Sequence, residues 1–324
     1  MNEFTQDENI GLFTPLFSDG RHLLTLGTLG LFLSGGFAVF LAASGQFLPH
    51  DIQFLGMSAD ELCRHDACRI VHFMIHDRIS FGGILIALSI LYFWLIHFPL
   101  RMHLAWAWWT LVFSNIAGFA SFLAFLGFGY LDTWHGVATL FLLPCFIAGL
   151  RLTYRTLEVP RQLAKVFCKS AHFSKDRSAR YGRFLLLATA AVVMAAGVTI
   201  GFVGMTVVFV PQDLEYMNTS IASLNRLNSH LIPLIAHDRA GFGAGVLNVG
   251  FLTFSCVWNG KPCRNLWQAL MLAGVTGFTA AIAIHPIVRY NNPVHLAPAC
   301  LGATTFFVGM WLTARQMHER SPVR

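Results

Sequence analysis

The sequence predicts an all-α integral membrane protein, with eight transmembrane helices arranged as two tandem, pseudo-symmetric four-helix bundles. Three observations lead to this fold class: the composition, eight long apolar stretches and an internal repeat. Hydrophobic residues make up 55% of the 324 residues, charged residues make up only 12%, and the mean hydropathy is +0.59. Such a chain has too little polar surface for a water-soluble globule. We therefore expect membrane lipid to surround it.

Eight stretches are long and apolar enough to cross a bilayer core of about 30 Å, which requires ~20 residues per helix. They lie at residues 22–44, 78–98, 105–128, 134–154, 184–209, 240–258, 266–288 and 294–314. They divide the chain into an N-terminal segment (1–20), a first four-helix bundle (21–155), a basic linker (156–183), a second bundle (184–315) and a tail (316–324). Acidic residues precede the first stretch where a secretory signal would be basic, so we expect no cleavable signal.

The distribution of positive charge predicts the orientation. Residues 151–183 carry nine Lys and Arg residues against only Glu158 and Asp176. Short cytoplasmic loops are enriched in Lys and Arg, so this linker is predicted to be cytoplasmic. With eight spans both termini are also cytoplasmic, as in a multi-pass protein of a bacterial-type inner (plasma) membrane. Topology and anionic lipid explain the net charge of +6, and we expect no nucleic-acid partner.

The second half of the chain repeats unusual positions of the first at an offset near 160 residues. Because each half has an even number of helices, the repeats are predicted to be parallel and related by an axis along the membrane normal. The matched segments are 47–51 with 209–213, 76–78 with 237–239, Tyr130 with Tyr290, and His135 with His295.

Four histidines are the strongest functional signal. His76, His135, His237 and His295 lie near the outer ends of the four even-numbered helices, at about the same depth. Ionisable groups in the membrane are costly and by default indicate function. Two imidazoles from facing helices are what a haem iron needs for bis-axial ligation. We expect one or two haem b groups, bound by His76 with His135 and by His237 with His295.

The residues after the helix-two and helix-six histidines fit this hypothesis. Arg78 and Arg239 are placed to reach haem propionates. Gly82 and Gly243 would let a flat macrocycle approach the backbone, with close helix packing as the alternative. Asp77 and Asp238 are expected either to pair with the arginines or to orient ligands.

Other metal centres are less well matched. Neither residues 78–131 nor residues 239–318 contain Asp or Glu, which disfavours a carboxylate-bridged di-iron site. Zinc needs three or four ligands at one site, whereas the further histidines, His72, His230 and His285, do not repeat. His285 is expected to be a solvated interface residue, with a third-ligand or substrate role as the alternative.

Two cysteines, Cys63 and Cys68, lie five residues apart in the first predicted outer loop. An oxidising compartment would permit a disulfide there, and two free thiols are the alternative.

The layout resembles the heme A synthase family, which has eight helices in two parallel halves, a histidine on each even helix and a cysteine pair in the first outer loop. The segments His135-Gly-Val-Ala138 and His295-Leu-Ala-Pro-Ala299 are similar to the family's pattern. That family carries Glu-x-x-His-Arg on helix two, whereas here Phe73 takes the glutamate position and Asp77 separates His76 from Arg78. The resemblance implies a haem-binding scaffold, but the glutamate that the family uses to oxidise a haem methyl group is missing.

These patterns predict a membrane b-type haem protein that acts in electron transfer or in oxidation of a lipophilic, quinone-like substrate. A heme A synthase-like oxygenase is one alternative. A non-enzymatic haem carrier, or an assembly or anchoring subunit of a respiratory complex, is another. A respiratory or dehydrogenase protein is the candidate partner.

Overall fold

The computed structural model describes residues 19–64, 68–121, 129–130, 133–158 and 176–318. Within these ranges the chain is helical and contains no strand. Parts of four predicted segments lie outside the described residues: 1–18 of the N-terminal segment, 122–128 of the third apolar stretch, 159–175 of the linker, and 319–324 of the tail.

The described chain forms long helices connected by short ones. The helices are α1 (Arg21–Ala43), α2 (Pro49–Leu55), α3 (Ala59–Leu62), α4 (Cys68–His97), α5 (Ala105–Ala120), α6 (Thr133–Tyr154), α7 (Arg177–Met205), α8 (Pro211–Met217), α9 (Ile221–Leu227), α10 (Leu231–Asn259), α11 (Arg264–Val288) and α12 (Pro293–His318). Seven of the described helices are long and apolar enough to cross a membrane, as expected for a multi-pass helical membrane protein. They are α1, α4, α6, α7, α10, α11 and α12.

Helices α4 and α10 form the centre of the molecule. Their most apolar stretches are 67% and 61% buried, against 22% for each of the other five long apolar helices. The outer helices instead expose large apolar side chains such as Phe40, Leu140 and Trp311. A surface of this kind is stable in lipid and not in water.

Helices α5 and α11 each pack against the central helix of the other half of the chain. In the first half α1 packs on α4 and α6, but α5 packs on α10 as well as on α6. In the second half α7 packs on α10 and α12, while α11 packs on α4 and α12. Consequently each of the two central helices contacts helices from both halves of the chain.

Both central helices begin earlier than the hydropathy predicted. The second and sixth stretches were predicted to start at residues 78 and 240, but α4 starts at Cys68 and α10 at Leu231. His76 and His237 therefore lie inside the helices. The prediction was wrong because the polar segments 76–78 and 237–239 lower the local hydropathy, although in the structure their side chains are buried or partly buried and their charges are paired.

Glycines permit the closest helix contacts. A β carbon added to Gly82 would come within 2.7 Å of the Gly35 carbonyl oxygen on α1, and one added to Gly243 within 2.9 Å of the Gly197 carbonyl oxygen on α7. Of the two expectations for Gly82 and Gly243, the structure shows close helix packing at both positions. They allow α1 to approach α4 and α7 to approach α10, as small residues do in membrane helix pairs.

Short helices cover the end of the bundle at which α4, α6, α10 and α12 begin, called here the histidine end. Two of them start in the same way: Asp51 accepts a hydrogen bond from the Leu48 backbone N–H at 3.1 Å, and Asp213 accepts one from the Val210 N–H at 2.9 Å. Cys63 and Cys68 are joined by a disulfide at the start of α4. These contacts hold Asp51 and Asp213 over the buried ends of the long helices.

Candidate functional site

A network of buried charges connects α4 with α10 at the histidine end. Arg78 donates from Nε to Asp238 at 2.9 Å and from Nη1 to Asp51 at 2.7 Å. Arg239 donates from Nε to Asp77 at 3.2 Å, and its Nη1 lies 2.7 Å from Asp213. Each arginine thus binds a carboxylate on the other central helix and one on a short helix of its own half.

This network revises the predicted role of the two arginines. Arg78 and Arg239 were expected to bind haem propionates, but each guanidinium already contacts two carboxylates, all of them buried or partly buried. Of the two expectations for Asp77 and Asp238, pairing with the arginines is the one that the structure shows. Leaving a buried carboxylate without such a partner is strongly unfavourable, so the arginines serve the fold itself.

Phe73 belongs to the same network through its ring. It is fully buried, and the guanidinium carbon of Arg239 lies 4.8 Å from its ring centroid. Phe73 thus makes a cation–π contact with Arg239 inside the network.

The first histidine site is formed by His135 on α6 and His237 on α10. Their ring centroids are 5.3 Å apart, and the Tyr130 ring lies 5.1 Å from His237. His237 is buried, and His135 is partly exposed. The Tyr130 hydroxyl donates a hydrogen bond to Asp51, which couples this site to the charge network.

Both imidazoles open into a cavity of about 280 Å³ between α1, α4, α5, α6 and α10. Its wall is mostly apolar and aromatic, and a few polar groups converge at its far end, where Ser114 donates to the Asn248 side chain at 2.9 Å. The aromatic rings in the wall belong to Phe37, Phe81, Tyr92, Phe119 and Phe146. An apolar pocket with a few convergent polar groups is typical of a cofactor or small-molecule site.

The second histidine site contains three imidazoles. His76 Nε2 lies 3.2 Å from His285 Nε2, and one nitrogen of each of His76, His285 and His295 lies within 4.8 Å of the others. His76 also contacts Asp77 through Nδ1 at 3.0 Å. This cluster joins α4, α11 and α12 at the histidine end.

Tyr290 supports the second site from the turn between α11 and α12. Its hydroxyl donates to Asp213 at 2.8 Å and lies 3.2 Å from His295 Nδ1. Burial, followed by the neighbouring Asp213 carboxylate, raises the pKa of Tyr290, so that the phenol keeps its proton. Tyr290 corresponds to Tyr130 in the predicted repeat.

The observed ring contacts differ from the predicted histidine pairs. We expected His76 with His135 and His237 with His295, but the rings in contact are His135 with His237 and His76 with His295, the latter pair at 5.7 Å between centroids. His76 on α4 thus contacts a histidine of α12, and His237 on α10 contacts a histidine of α6. The four histidines are brought to one end of the molecule, but in crossed pairs.

Sequence reasoning misjudged His285, which was expected to be a solvated interface residue. It is only 3% exposed, and its ring centroid lies 5.4 Å from that of His295. The signal available was the short connection from α11 to α12, which places two histidines ten residues apart on adjoining helix ends. His72 and His230, by contrast, are exposed.

Comparisons with protein-family models, with curated proteins and with solved structures found no match.

Proposed function

We propose that this chain is a membrane b-type haem protein whose haem b occupies the cavity of the first histidine site, with His135 and His237 as axial ligands. The observation that carries the proposal is that both imidazoles open into one apolar, aromatic-lined cavity. Two imidazoles on opposite faces of an iron have ring centres about 6 Å apart, given metal–nitrogen bonds of about 2 Å. The observed separation of the ring centroids, 5.3 Å, is close to this value.

The proposed architecture has eight spans in two tandem four-helix repeats. Support comes from the reciprocal contacts of Arg78 and Arg239, and from the glycine contacts that recur between α1 and α4 and between α7 and α10. The third span would include α5. The basic ends of α6, α7 and α12 support a cytoplasmic location for both termini, with the histidine end on the opposite side.

Electron transfer is the activity that we favour, with a lipophilic quinone-like molecule as the redox partner and a respiratory or dehydrogenase protein as the candidate partner. Phe73, buried under Arg239, argues against a heme A synthase-like oxidation of a haem methyl group, because that position has no carboxylate. The aromatic wall of the cavity suits a porphyrin, and the apolar helices around it suit exchange of electrons with a partner dissolved in the membrane.

An optical spectrum of the purified chain in mild detergent tests the proposal. We expect a Soret band, or its appearance on addition of haemin, corresponding to one haem per chain. His135→Ala and His237→Ala should each lose this haem, while His230→Ala, a change at an exposed histidine, should retain it. The haem hypothesis fails if no Soret band forms under either condition.

Redox measurements then separate the activities. For electron transfer, the reduced haem should be reoxidised by a soluble quinone analogue with the porphyrin unchanged. Formation of a haem with an oxidised methyl group would instead support a heme A synthase-like reaction. Transfer of intact haem to an apoprotein would support a haem carrier.

A further inference from the structure

The cluster of His76, His285 and His295 differs from the first histidine site in having a third imidazole. The position 160 residues before His285 is Phe125, so the sequence supplies no equivalent histidine to the first half. The geometry points to a mononuclear transition-metal site at this cluster, separate from the haem cavity, that binds a divalent ion which prefers imidazole nitrogen, such as Zn²⁺.

The distances fit ligands of one small ion. With bonds of about 2.0–2.1 Å, two ligands of a tetrahedral ion lie about 3.3 Å apart. His76 Nε2 and His285 Nε2 are 3.2 Å apart, and the third ligand nitrogen lies within 4.8 Å of both. A modest movement of His295 would complete a three-coordinate set.

The same distances disfavour haem at this site. Axial ligands of a haem iron face each other across the porphyrin at about 4 Å between nitrogens, and the plane between them must be clear. Here His285 Nε2 lies only 3.2 Å from His76 Nε2, which is shorter than the separation of two such axial nitrogens. The second haem expected from the sequence is therefore replaced in our proposal by a metal ion.

Hydrogen bonds to the second ring nitrogen orient two of the three proposed ligands, His76 and His295. His76 Nδ1 contacts Asp77, and His295 Nδ1 contacts the Tyr290 hydroxyl, whose own proton goes to Asp213. A proton on Nδ1 of each ring satisfies both contacts and leaves the Nε2 lone pairs available to a metal. Histidine ligands commonly have a carboxylate or another acceptor at the second nitrogen, which fixes tautomer and ring orientation.

The charges near the cluster favour a cation. Three neutral imidazoles contribute no charge, while Asp77 and Asp213 contribute two negative charges and Arg239 one positive charge. The net charge of this outer layer is thus −1. Three protein ligands leave a fourth position for water or substrate, and the partial exposure of His295 leaves a route to it.

Zinc binding to the full-length chain tests the site. After removal of metal with a chelator, the protein in mild detergent is titrated with Zn²⁺ alone, with affinity measured by competition against a chromophoric chelator and stoichiometry by elemental analysis. We expect one equivalent of zinc in the wild type. His285→Ala should abolish this binding, and Tyr290→Phe should weaken it by about 10- to 100-fold, as loss of an outer partner does.

The control is His318→Ala, which removes an exposed histidine at the other end of α12 and should leave zinc binding unchanged. Monodisperse elution and an unchanged helical circular-dichroism spectrum establish that each variant is folded. The proposal is overturned if folded wild type binds no zinc, if folded His285→Ala binds it equally well, or if His295→Ala removes a haem and no metal.

The two proposals fail separately, because they use different signals. The Soret band reports haem at His135 and His237, whereas zinc stoichiometry reports the three-histidine cluster. A chain that binds zinc without any Soret band would refute only the haem proposal, and one with a Soret band but no zinc would refute only the metal site.

Discussion

Arg78 on α4 donates from Nε to the Asp238 carboxylate on α10 at 2.9 Å, and this ion pair crosses the interface between the two halves of the chain. The reciprocal contact, from Arg239 Nε to Asp77, is 3.2 Å long. Each carboxylate immediately follows a histidine in sequence and each guanidinium comes next. The two His-Asp-Arg segments therefore form a reciprocal pair of salt bridges, in which the aspartate of each segment binds the arginine of the other.

Removing one arginine should destabilise the protein severely. Arg78→Ala leaves the buried Asp51 and the partly buried Asp238 without their positive partner, and loss of one member of a buried pair costs about 3–5 kcal/mol. The measurement is an unfolding titration with denaturing detergent in mixed micelles. Arg226→Ala, at an exposed arginine of α9, is the control and should change stability by less than about 0.5 kcal/mol. An equal loss of stability in the two variants would contradict the stabilising role of these salt bridges.

The crossed histidine pairs predict that neither half binds haem alone. Residues 1–158 contain His135 but lack His237 and α10, on which α5 packs. Expressed separately, fragments 1–158 and 159–324 should give no Soret band, whereas their co-expression should restore it in a complex that copurifies.

Haem bound by fragment 1–158 on its own would instead indicate pairing of His76 with His135 within the first half. This experiment therefore distinguishes the crossed arrangement from the one expected from sequence.

Gly82 should not tolerate a side chain. The β carbon of Gly82→Ala would lie 2.7 Å from the Gly35 carbonyl oxygen and would force α1 away from α4. Overpacking of this kind costs about 1–3 kcal/mol. Gly36→Ala is the matched control: it is adjacent to Gly35 on α1, and an added β carbon meets no atom within 4 Å. Unfolding titrations should show a lower free energy of unfolding for Gly82→Ala and an unchanged one for Gly36→Ala.

The Cys63–Cys68 disulfide should stabilise the start of α4. Replacing both cysteines with serine removes a short covalent loop and should cost about 2 kcal/mol on the chain-entropy account. Alkylation of unfolded protein before and after reduction, followed by mass spectrometry, shows whether the bond is present. Cys300→Ser, at a free and partly exposed cysteine, is the control. A bond that forms without affecting unfolding would contradict the stabilising role.

Much of the helical architecture follows from residue type alone. The apolar stretches that became α1, α6, α7, α11 and α12 were located correctly to within a few residues at most ends, because a bilayer accepts only long apolar helices with internally satisfied backbones. The helix starts before His76 and His237 were missed. A hydropathy scale counts each ionisable residue as exposed and polar, whereas Arg78 and Arg239 are neutralised by partners distant in sequence.

The sequence by itself determined that helices cross a membrane and that four histidines lie at one end of them. Only the tertiary structure decided which histidines meet and that His285 joins His76 and His295. The physical reason is that periodicity specifies which side chains share one helix face, but not which helix packs against it. That choice depends on close glycine contacts and on ion pairs between residues distant in sequence.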